Sequence, residues 1–110
     1  GEAVIFAPPM IIAILEGHKT QTRRRITLGR PCPYRVGSTY SVQSGRGKAG
    51  LARIRVLNVR SEPLWKLSDS DVQAEGFHNC YGFTIVWKGL HGDLNWDEEV
   101  WVIDFELVQP

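Results

Sequence analysis

The clearest pattern of apolar and polar positions lies between residues 51 and 59, where two sets of residues alternate along the chain. Ala52, Ile54 and Val56 share one face of this segment, which is the period-two spacing of a half-buried β-strand with that face toward the core. The glycine-rich stretch 44–50 before it is typical of a flexible hairpin connection. We expect further strands or extended segments at 3–7, 20–26, 39–43 and 100–108.

Helical spacing and end signals mark three short helices. The first begins at the Pro8-Pro9 pair, because proline is well tolerated in a first turn, and it ends at Gly17. Ser68-Asp69-Ser70-Asp71 has the form of a capping box and opens a second helix that ends at Gly76. The third has apolar residues at positions i, i+3, i+4 and i+7: Phe83, Val86, Trp87 and Leu90.

Strands interleaved with short helices, without a βαβ rhythm, favour an α+β fold that is rich in β-structure. We expect a small, mostly antiparallel β-barrel with short helices over its openings. A chain of 110 residues suffices for one domain with a single core, so the predicted domain spans 1–110.

Membrane and secreted classes find little support in the chain. No stretch approaches the roughly 20 apolar residues of a membrane-spanning helix, and no signal-peptide pattern opens the sequence. The two cysteines, Cys32 and Cys80, do not form a Cys-x-x-Cys pair, and no spacing favours a disulfide between them. We therefore expect a reduced protein of the cytoplasm.

Charge is distributed unevenly, although the formal net charge is only +1. Residues 1–60 carry eleven Lys and Arg against two acids, a net of +9, whereas residues 61–110 carry two Lys against ten acids, a net of −8. Such asymmetry favours either of two interpretations. A basic surface is offered to a polyanion, or the two halves pair with each other inside one small fold.

Four cations, Lys19 and the three arginines at 23–25, lie close together in the segment 17–25, Gly-His-Lys-Thr-Gln-Thr-Arg-Arg-Arg. In this segment the first helix passes into extended chain. Cations are almost never fully buried unless they are paired. This basic segment must therefore face solvent, an acidic neighbour or an anionic ligand.

Lys19 and Thr22 stand three residues apart across this helix-to-strand corner. A desolvated lysine has a lowered pKa, and Arg23, Arg24 and Arg25 add positive charge, so Lys19 could act as general base to the hydroxyl of Thr22. The simpler interpretation is that Lys19 and the arginines hold phosphates while Thr22 fills a strand position. Of the two, we favour phosphate contact.

Glu75 is the second candidate, in Ala-Glu-Gly-Phe at 74–77. An acid near a helix C-terminus is unfavourably placed against the helix dipole, by about 0.3–1 kcal/mol. Glu75 therefore has a functional role or forms a salt bridge with one of the arginines. In both cases we expect it near the basic corner.

Arg46 and Lys48, in the hairpin connection, are either nucleic-acid backbone contacts or solvated residues of a hairpin tip. Trp65 and Trp96 lie near loops, where an exposed ring could stack on a base, whereas the other two tryptophans fit apolar faces. The three histidines lack the spacing of metal ligands. We expect no metal and no cofactor.

The chain resembles the ASCH domain superfamily, which is related to PUA RNA-binding modules, and in particular its short bacterial and prophage-borne members. The resemblance is carried first by Pro9-Met10 and by 13–24, Ala-Ile-Leu-Glu-Gly-His-Lys-Thr-Gln-Thr-Arg-Arg. The usual Gly-Arg-Lys-Thr of the family is Gly17-His18-Lys19-Thr20 here. Weaker matches follow in the same order at 45–48, 52–54, 74–77, Trp87 and 100–105.

The resemblance implies a PUA-like β-barrel with a cleft between barrel and helices, and binding of RNA or a modified nucleoside. Ligand-binding residues would then be Lys19, Thr20, Arg23, Arg24, Arg46 and Lys48. One bacterial branch of the family consists of amidohydrolases that remove the acyl group from N4-acetylcytidine. Its lysine base, threonine nucleophile and assisting glutamate would fall on Lys19, Thr22 and Glu75.

We therefore expect an RNA- or nucleoside-binding domain with a basic cleft. Two enzymatic alternatives remain open: the amidohydrolase, and an RNA-cleaving activity such as other members of the family are described to have. For RNA cleavage, Lys19 and Arg23 could supply a base and an anion stabiliser.

Overall fold

The computed structural model describes residues 2–109, so Gly1 and Pro110 of the predicted domain lie outside the described residues. In chain order its elements are β1 (Ala3–Ile5), α1 (Pro8–Leu15), β2 (Gln21–Arg25), β3 (Thr39–Gln43), β4 (Gly50–Pro63), a 3₁₀ turn (Leu64–Lys66), α2 (Asp69–Ala74), α3 (Cys80–His91) and β5 (Glu99–Gln109). Each predicted strand and helix has a counterpart, but the first strand ends at Ile5, two residues earlier than predicted.

The strands form one sheet in the order β1-β3-β4-β5-β2, with β1 parallel to β3 and the other pairs antiparallel. The sheet is not closed, so the predicted barrel is wrong in this respect. A closed barrel would join β1 to β2 through backbone hydrogen bonds. Instead, β1 is only three residues long before Pro8 opens α1, and the carbonyl of Ile5 accepts a hydrogen bond from Arg24 Nη2 at 3.0 Å.

Apolar side chains form two clusters on opposite faces of the sheet. Strand β5 contributes to both, because successive side chains of a strand point to opposite faces. Val100 and Val102 pack with α3, whereas Ile103 and Phe105 pack with β1, α1 and the inner face of β3 and β4. The predicted core face of β4 is confirmed, since Ala52, Ile54 and Val56 are all buried: 7%, 3% and 1% exposed.

The signal that opens α2 is confirmed, and so is part of the apolar face predicted for α3. Ser68 Oγ accepts a hydrogen bond from the Asp71 amide at 3.1 Å, and Asp71 Oδ2 accepts one from the Ser68 amide at 3.0 Å, which confirms the capping box of α2. In α3, Phe83 and Trp87 are buried, but Val86 and Leu90 are exposed. The apolar stripe of α3 is therefore only half covered by the protein's own core.

The basic first half and the acidic second half of the sequence form ion pairs with each other in the structure. Within residues 2–109, all ten ion pairs join a cation of residues 19–60 to an acid of residues 62–106. Pairing between the halves thus accounts for part of the basic half, although Arg24 and Arg30 are outside every one of these pairs.

Cys32 and Cys80 are both free thiols. Between residues 2 and 109, none of the helices has the length and apolar character needed to cross a bilayer.

Candidate ligand-binding cleft

A cavity of about 380 Å³ lies along the free edge of β2, between the β1–α1 segment and α3. We call it the β2 cleft. Its walls are mostly apolar, and its polar groups come from β2 and the end of α2. The apolar lining includes Phe6, Met10, Phe77, Phe83, Val86, Trp87 and Leu90. The polar lining includes Lys19, Thr22, Arg23, Arg24, Arg25, Glu75 and His91.

The backbone of β2 presents hydrogen-bonding groups to this cleft. Thr22 lies opposite Ile103 in the antiparallel ladder, and the amide of Phe105 donates to the carbonyl of Thr20 at 2.9 Å. Bonded and non-bonded pairs alternate in such a ladder, so Thr22 and Arg24 bond to β5 while Gln21, Arg23 and Arg25 direct their backbone groups outward. The carbonyl of Gln21 is accordingly free to accept from Lys19 Nζ, at 2.8 Å.

Lys19 is 3% exposed, and its ammonium group donates to three oxygens. These are the Gln21 carbonyl and the Glu75 carbonyl, both at 2.8 Å, and Glu75 Oε1 at 3.1 Å. Burial lowers the pKa of Lys19 below its ordinary value, an effect that the charge of Glu75 partly opposes. Solvent, an acidic neighbour and an anionic ligand were the surroundings expected for the basic segment. Lys19 has the acidic neighbour, and Glu75 offsets the cost of burying its charge.

Arg23 is the second buried cation, at 5% exposed. Its guanidinium lies 3.1 Å from Glu75 Oε2, 3.1 Å from Glu62 Oε2 and 3.5 Å from Asp71 Oδ2. Its Nη1 also donates to Gln21 Oε1. Its Nε is buried without a hydrogen-bond partner, and so is Nε1 of Trp87, which lines the same cleft. Both N–H groups are enclosed by the protein, although the two residues line the cleft with other atoms.

Glu75 caps the C-terminus of α2 and is 3% exposed. Its carboxylate receives Lys19 on one oxygen and Arg23 on the other, both at 3.1 Å. These two cations offset the unfavourable interaction between the Glu75 carboxylate and the C-terminal end of the helix dipole, which the sequence analysis had noted. The prediction that Glu75 lies near the basic corner is therefore confirmed.

Thr22 is 7% exposed and lines the same cleft as Lys19 and Glu75. Its hydroxyl accepts a hydrogen bond from Arg24 Nε at 3.4 Å. No hydrogen bond joins the Thr22 hydroxyl to Lys19 Nζ, whose donors already have three acceptors. The three predicted catalytic residues thus share one cavity, but the base and nucleophile are not directly linked, and their roles remain predictions.

The other predicted ligand-binding residues divide into two groups. Arg24 lies in the cleft wall, with its guanidinium 4.7 Å from the ring centre of Phe6. Thr20 is exposed and pairs through its backbone with Ala74 and Phe105, while Arg46 and Lys48 lie on the exposed β3–β4 hairpin. None of these last three lines the β2 cleft.

Sequence reasoning missed much of the apolar lining. Phe6 and Phe77 follow a strand and a helix, and their role depends on which elements meet in space. Nothing in the sequence indicated that His91 also lines the cleft, with its ring centre 4.3 Å from that of Trp87. Burial, helped by the charge of Arg25, lowers the pKa of His91 below its ordinary value. The partly exposed tryptophans, Trp65 and Trp96, lie outside the cleft.

In the part of the chain that the structure describes, no three His, Cys, Asp or Glu side chains are grouped so as to hold a metal ion.

The fold of this chain is similar to the folds of several solved structures. The chain is similar to an ASCH domain from Lactobacillus crispatus JV V101, with a TM-score of 0.83 at 17% identity, covering 99% of this chain and 80% of that one. It is also similar to protein EF3133 from Enterococcus faecalis V583, with a TM-score of 0.70 at 22% identity, covering 92% of this chain and 71% of that one.

A mutant of ZmASCH from Zymomonas mobilis gives a TM-score of 0.69 at 18% identity, covering 98% of this chain and 70% of that one. No protein-family model and no curated protein sequence matches the chain. At these identities the likeness concerns the fold.

Proposed function

Because the chain has the fold of ASCH domains, we propose that the β2 cleft binds RNA or a modified nucleoside, with the base inside the cleft. The observation that carries the proposal is the composition of the cavity. It has the size of a small-molecule site, aromatic walls, and a few polar groups gathered at one side.

The aromatic walls suit the faces of a base, because base–aromatic contact is worth about 1–3 kcal/mol per base. At the free edge of β2, the outward backbone amide and carbonyl of Arg23 supply one donor and one acceptor for the edge of the base. This combination recognises a flat, heteroatom-rich ring better than it recognises an aliphatic ligand.

The proposal is tested on α3, which offers a matched pair of exposed apolar residues. Leu90 is 71% exposed and lines the cleft, whereas Ile85 is 53% exposed and does not. We expect Leu90→Glu to weaken binding of cytidine and of a short RNA about tenfold, because it removes apolar contact and adds a repelling charge. Ile85→Glu should leave both affinities unchanged. Titration calorimetry on both variants, with thermal unfolding as a check on folding, measures this.

Salt dependence supplies the second readout for RNA. Each single-strand phosphate contacted should contribute about −0.7 to the slope of log affinity against log salt concentration. Binding that is absent, or equal losses in the two α3 variants, would contradict the proposal.

A second candidate function is removal of the acyl group from N4-acetylcytidine. It is favoured by one specific observation: Lys19, Thr22 and Glu75 are all buried around the same cavity, with Lys19 and Glu75 in contact at 3.1 Å. In this reaction Lys19 takes the proton of the Thr22 hydroxyl, Thr22 attacks the acyl carbonyl, and the bond from the acyl carbon to N4 breaks. The departing amine receives the proton that Lys19 had taken, assisted by Glu75. Water then releases the acyl group from Thr22. We rank binding above this reaction because all three N–H groups of the Lys19 ammonium already donate hydrogen bonds, whereas a base must be neutral.

A further inference from the structure

A second cavity, of about 360 Å³, lies beside the β2 cleft on the other side of Arg24. We call it the arginine pocket. It is formed by the end of β2, the following loop and β5, and its lining includes Arg24, Arg25, Arg30, Tyr34 and Trp101. Arg24 and Trp101 are direct partners in the β2–β5 ladder, so their side chains share one face of the sheet.

Three arginines line this small volume, and the charges of their guanidinium groups are unequally compensated. Arg25 pairs with Asp93 at 2.9 Å and with Glu98 at 2.8 Å. Arg24 and Arg30 have no carboxylate partner among residues 2–109. Arg24 instead donates to the Ile5 carbonyl and the Thr22 hydroxyl and lies over Phe6, all neutral groups. The pocket therefore carries net positive charge.

The two cavities share Arg24 and Arg25 among their lining residues, so they adjoin each other at the end of β2. The first is mostly apolar and aromatic, while the second is cationic. A nucleotide has two matching parts in the same order: an aromatic base and, joined to it through the ribose, an anionic phosphate. Arginine is the side chain best suited to phosphate, because its planar fork donates two parallel hydrogen bonds.

We propose that the arginine pocket holds the phosphate of the ligand whose base occupies the β2 cleft. The ligand is then a phosphorylated nucleoside or an RNA strand rather than a free nucleoside. This inference rests on the proposed function, since it assigns a binding site to the phosphate of the ligand whose base is proposed to bind in the β2 cleft.

The test compares cytidine with cytidine 5′-monophosphate and cytidine 3′-monophosphate, by titration calorimetry at one fixed salt concentration. We expect at least one monophosphate to bind about tenfold more tightly than cytidine, as one charge-assisted phosphate contact provides. A dinucleoside monophosphate distinguishes the source of the phosphate. If it equals the better monophosphate, a phosphodiester of RNA suffices; if it binds like cytidine, a terminal phosphate is required.

Two exposed arginines of the same loop supply the matched variants. Arg30 lines the arginine pocket, and Arg35 does not. Arg30→Gln should remove most of the advantage of the phosphate while leaving cytidine binding unchanged, and Arg35→Gln, with the same loss of charge, should change neither. Inorganic phosphate should compete with the monophosphate and not with cytidine.

Each outcome has a definite meaning. Equal affinity for cytidine and both monophosphates, or equal effects of the two arginine variants, overturns the phosphate subsite while leaving base binding in place. Failure of every probe, the dinucleoside monophosphate included, overturns base binding and the subsite with it.

Discussion

Glu75 is the residue on which two buried cations converge, and it connects the cleft to the rest of the protein. Through Arg23 it joins a network that includes Glu62 and Asp71, and through Lys19 it reaches the free edge of β2. Removing one member of a buried ion pair costs about 3–5 kcal/mol, because the other charge remains buried without its partner. Loss of activity in a variant of Lys19 or Glu75 therefore mixes chemistry with folding.

Thr22 offers a cleaner test of the amidohydrolase, because its side chain carries no charge. If it is the nucleophile, Thr22→Ala should lower turnover of N4-acetylcytidine by at least about 1000-fold while leaving cytidine affinity nearly intact. Thr22→Ser keeps a hydroxyl and should retain most of the activity. Release of acetate, followed for the wild type and both variants, measures this.

The pH dependence of that turnover identifies the base. A base must be neutral, and burial places the pKa of Lys19 below the ordinary 10.5, so activity should rise as pH increases through the lowered pKa. A rate that does not rise with pH anywhere from the acid range up to the ordinary 10.5 would remove Lys19 as the base. Unchanged turnover in Thr22→Ala would remove Thr22 from the mechanism.

Among the elements, the end of α2 sets the position of Lys19. Gly76 has φ +96°, and a Cβ there would lie 3.4 Å from Lys19 Cβ, whereas Gly92 at the end of α3 has φ +84° and open space around it. Alanine at either position should cost about 1–2 kcal/mol of unfolding free energy through backbone strain. Only Gly76→Ala should also weaken ligand binding, because backbone strain at Gly76 acts on the adjoining Glu75 carbonyl and so on its 2.8 Å contact with Lys19 Nζ.

Urea unfolding and cytidine titration on the two glycine variants separate these effects. Equal losses of affinity in both would show that strain alone, and not the contact with Lys19, is responsible.

The elements themselves were largely predictable because their signals are local. The capping box at Ser68 and the alternation along β4 depend on neighbours in sequence, and both are confirmed. Closure of the sheet was not predictable in this way, since it depends on whether a three-residue strand can reach β2 across the space occupied by Arg24. For the same reason, the sequence indicated Lys19 and Glu75 as neighbours through their charges, but not Phe6, Phe77 or His91 as cleft lining.

For the whole molecule, ion pairs between the two halves predict sensitivity to acid. Burial raises the pKa of Asp71, but hydrogen bonds from Ser68 and the charge of Arg23 outweigh it and leave the pKa below the ordinary 3.8. A carboxylate with a lowered folded pKa contributes stability above its unfolded pKa, and that contribution is lost as pH falls through the folded value. Unfolding free energy should therefore decline on acidification, with Asp71 among the contributors.

Asp71→Asn should cost about 1 kcal/mol at pH 7, through the capping box and the contact with Arg23, and the difference from wild type should shrink in acid. Asp69→Asn is the matched control, because Asp69 lies on the same first turn of α2 and is outside the ion pairs of residues 2–109. Urea unfolding at several pH values measures both. A constant difference between Asp71→Asn and wild type across the acid range would contradict the assignment.

The outward backbone of β2 also bears on how separate molecules behave toward one another. An unpaired strand edge is a template on which another chain can add a strand, the first step of edge-to-edge aggregation. Here Lys19 already occupies the Gln21 carbonyl, and the cationic side chains of Arg23 and Arg25 flank the remaining open groups. An incoming copy would have to displace a buried ion pair and bring its own three arginines against these. The charges that line the cleft thus also keep the sheet from growing beyond a single molecule.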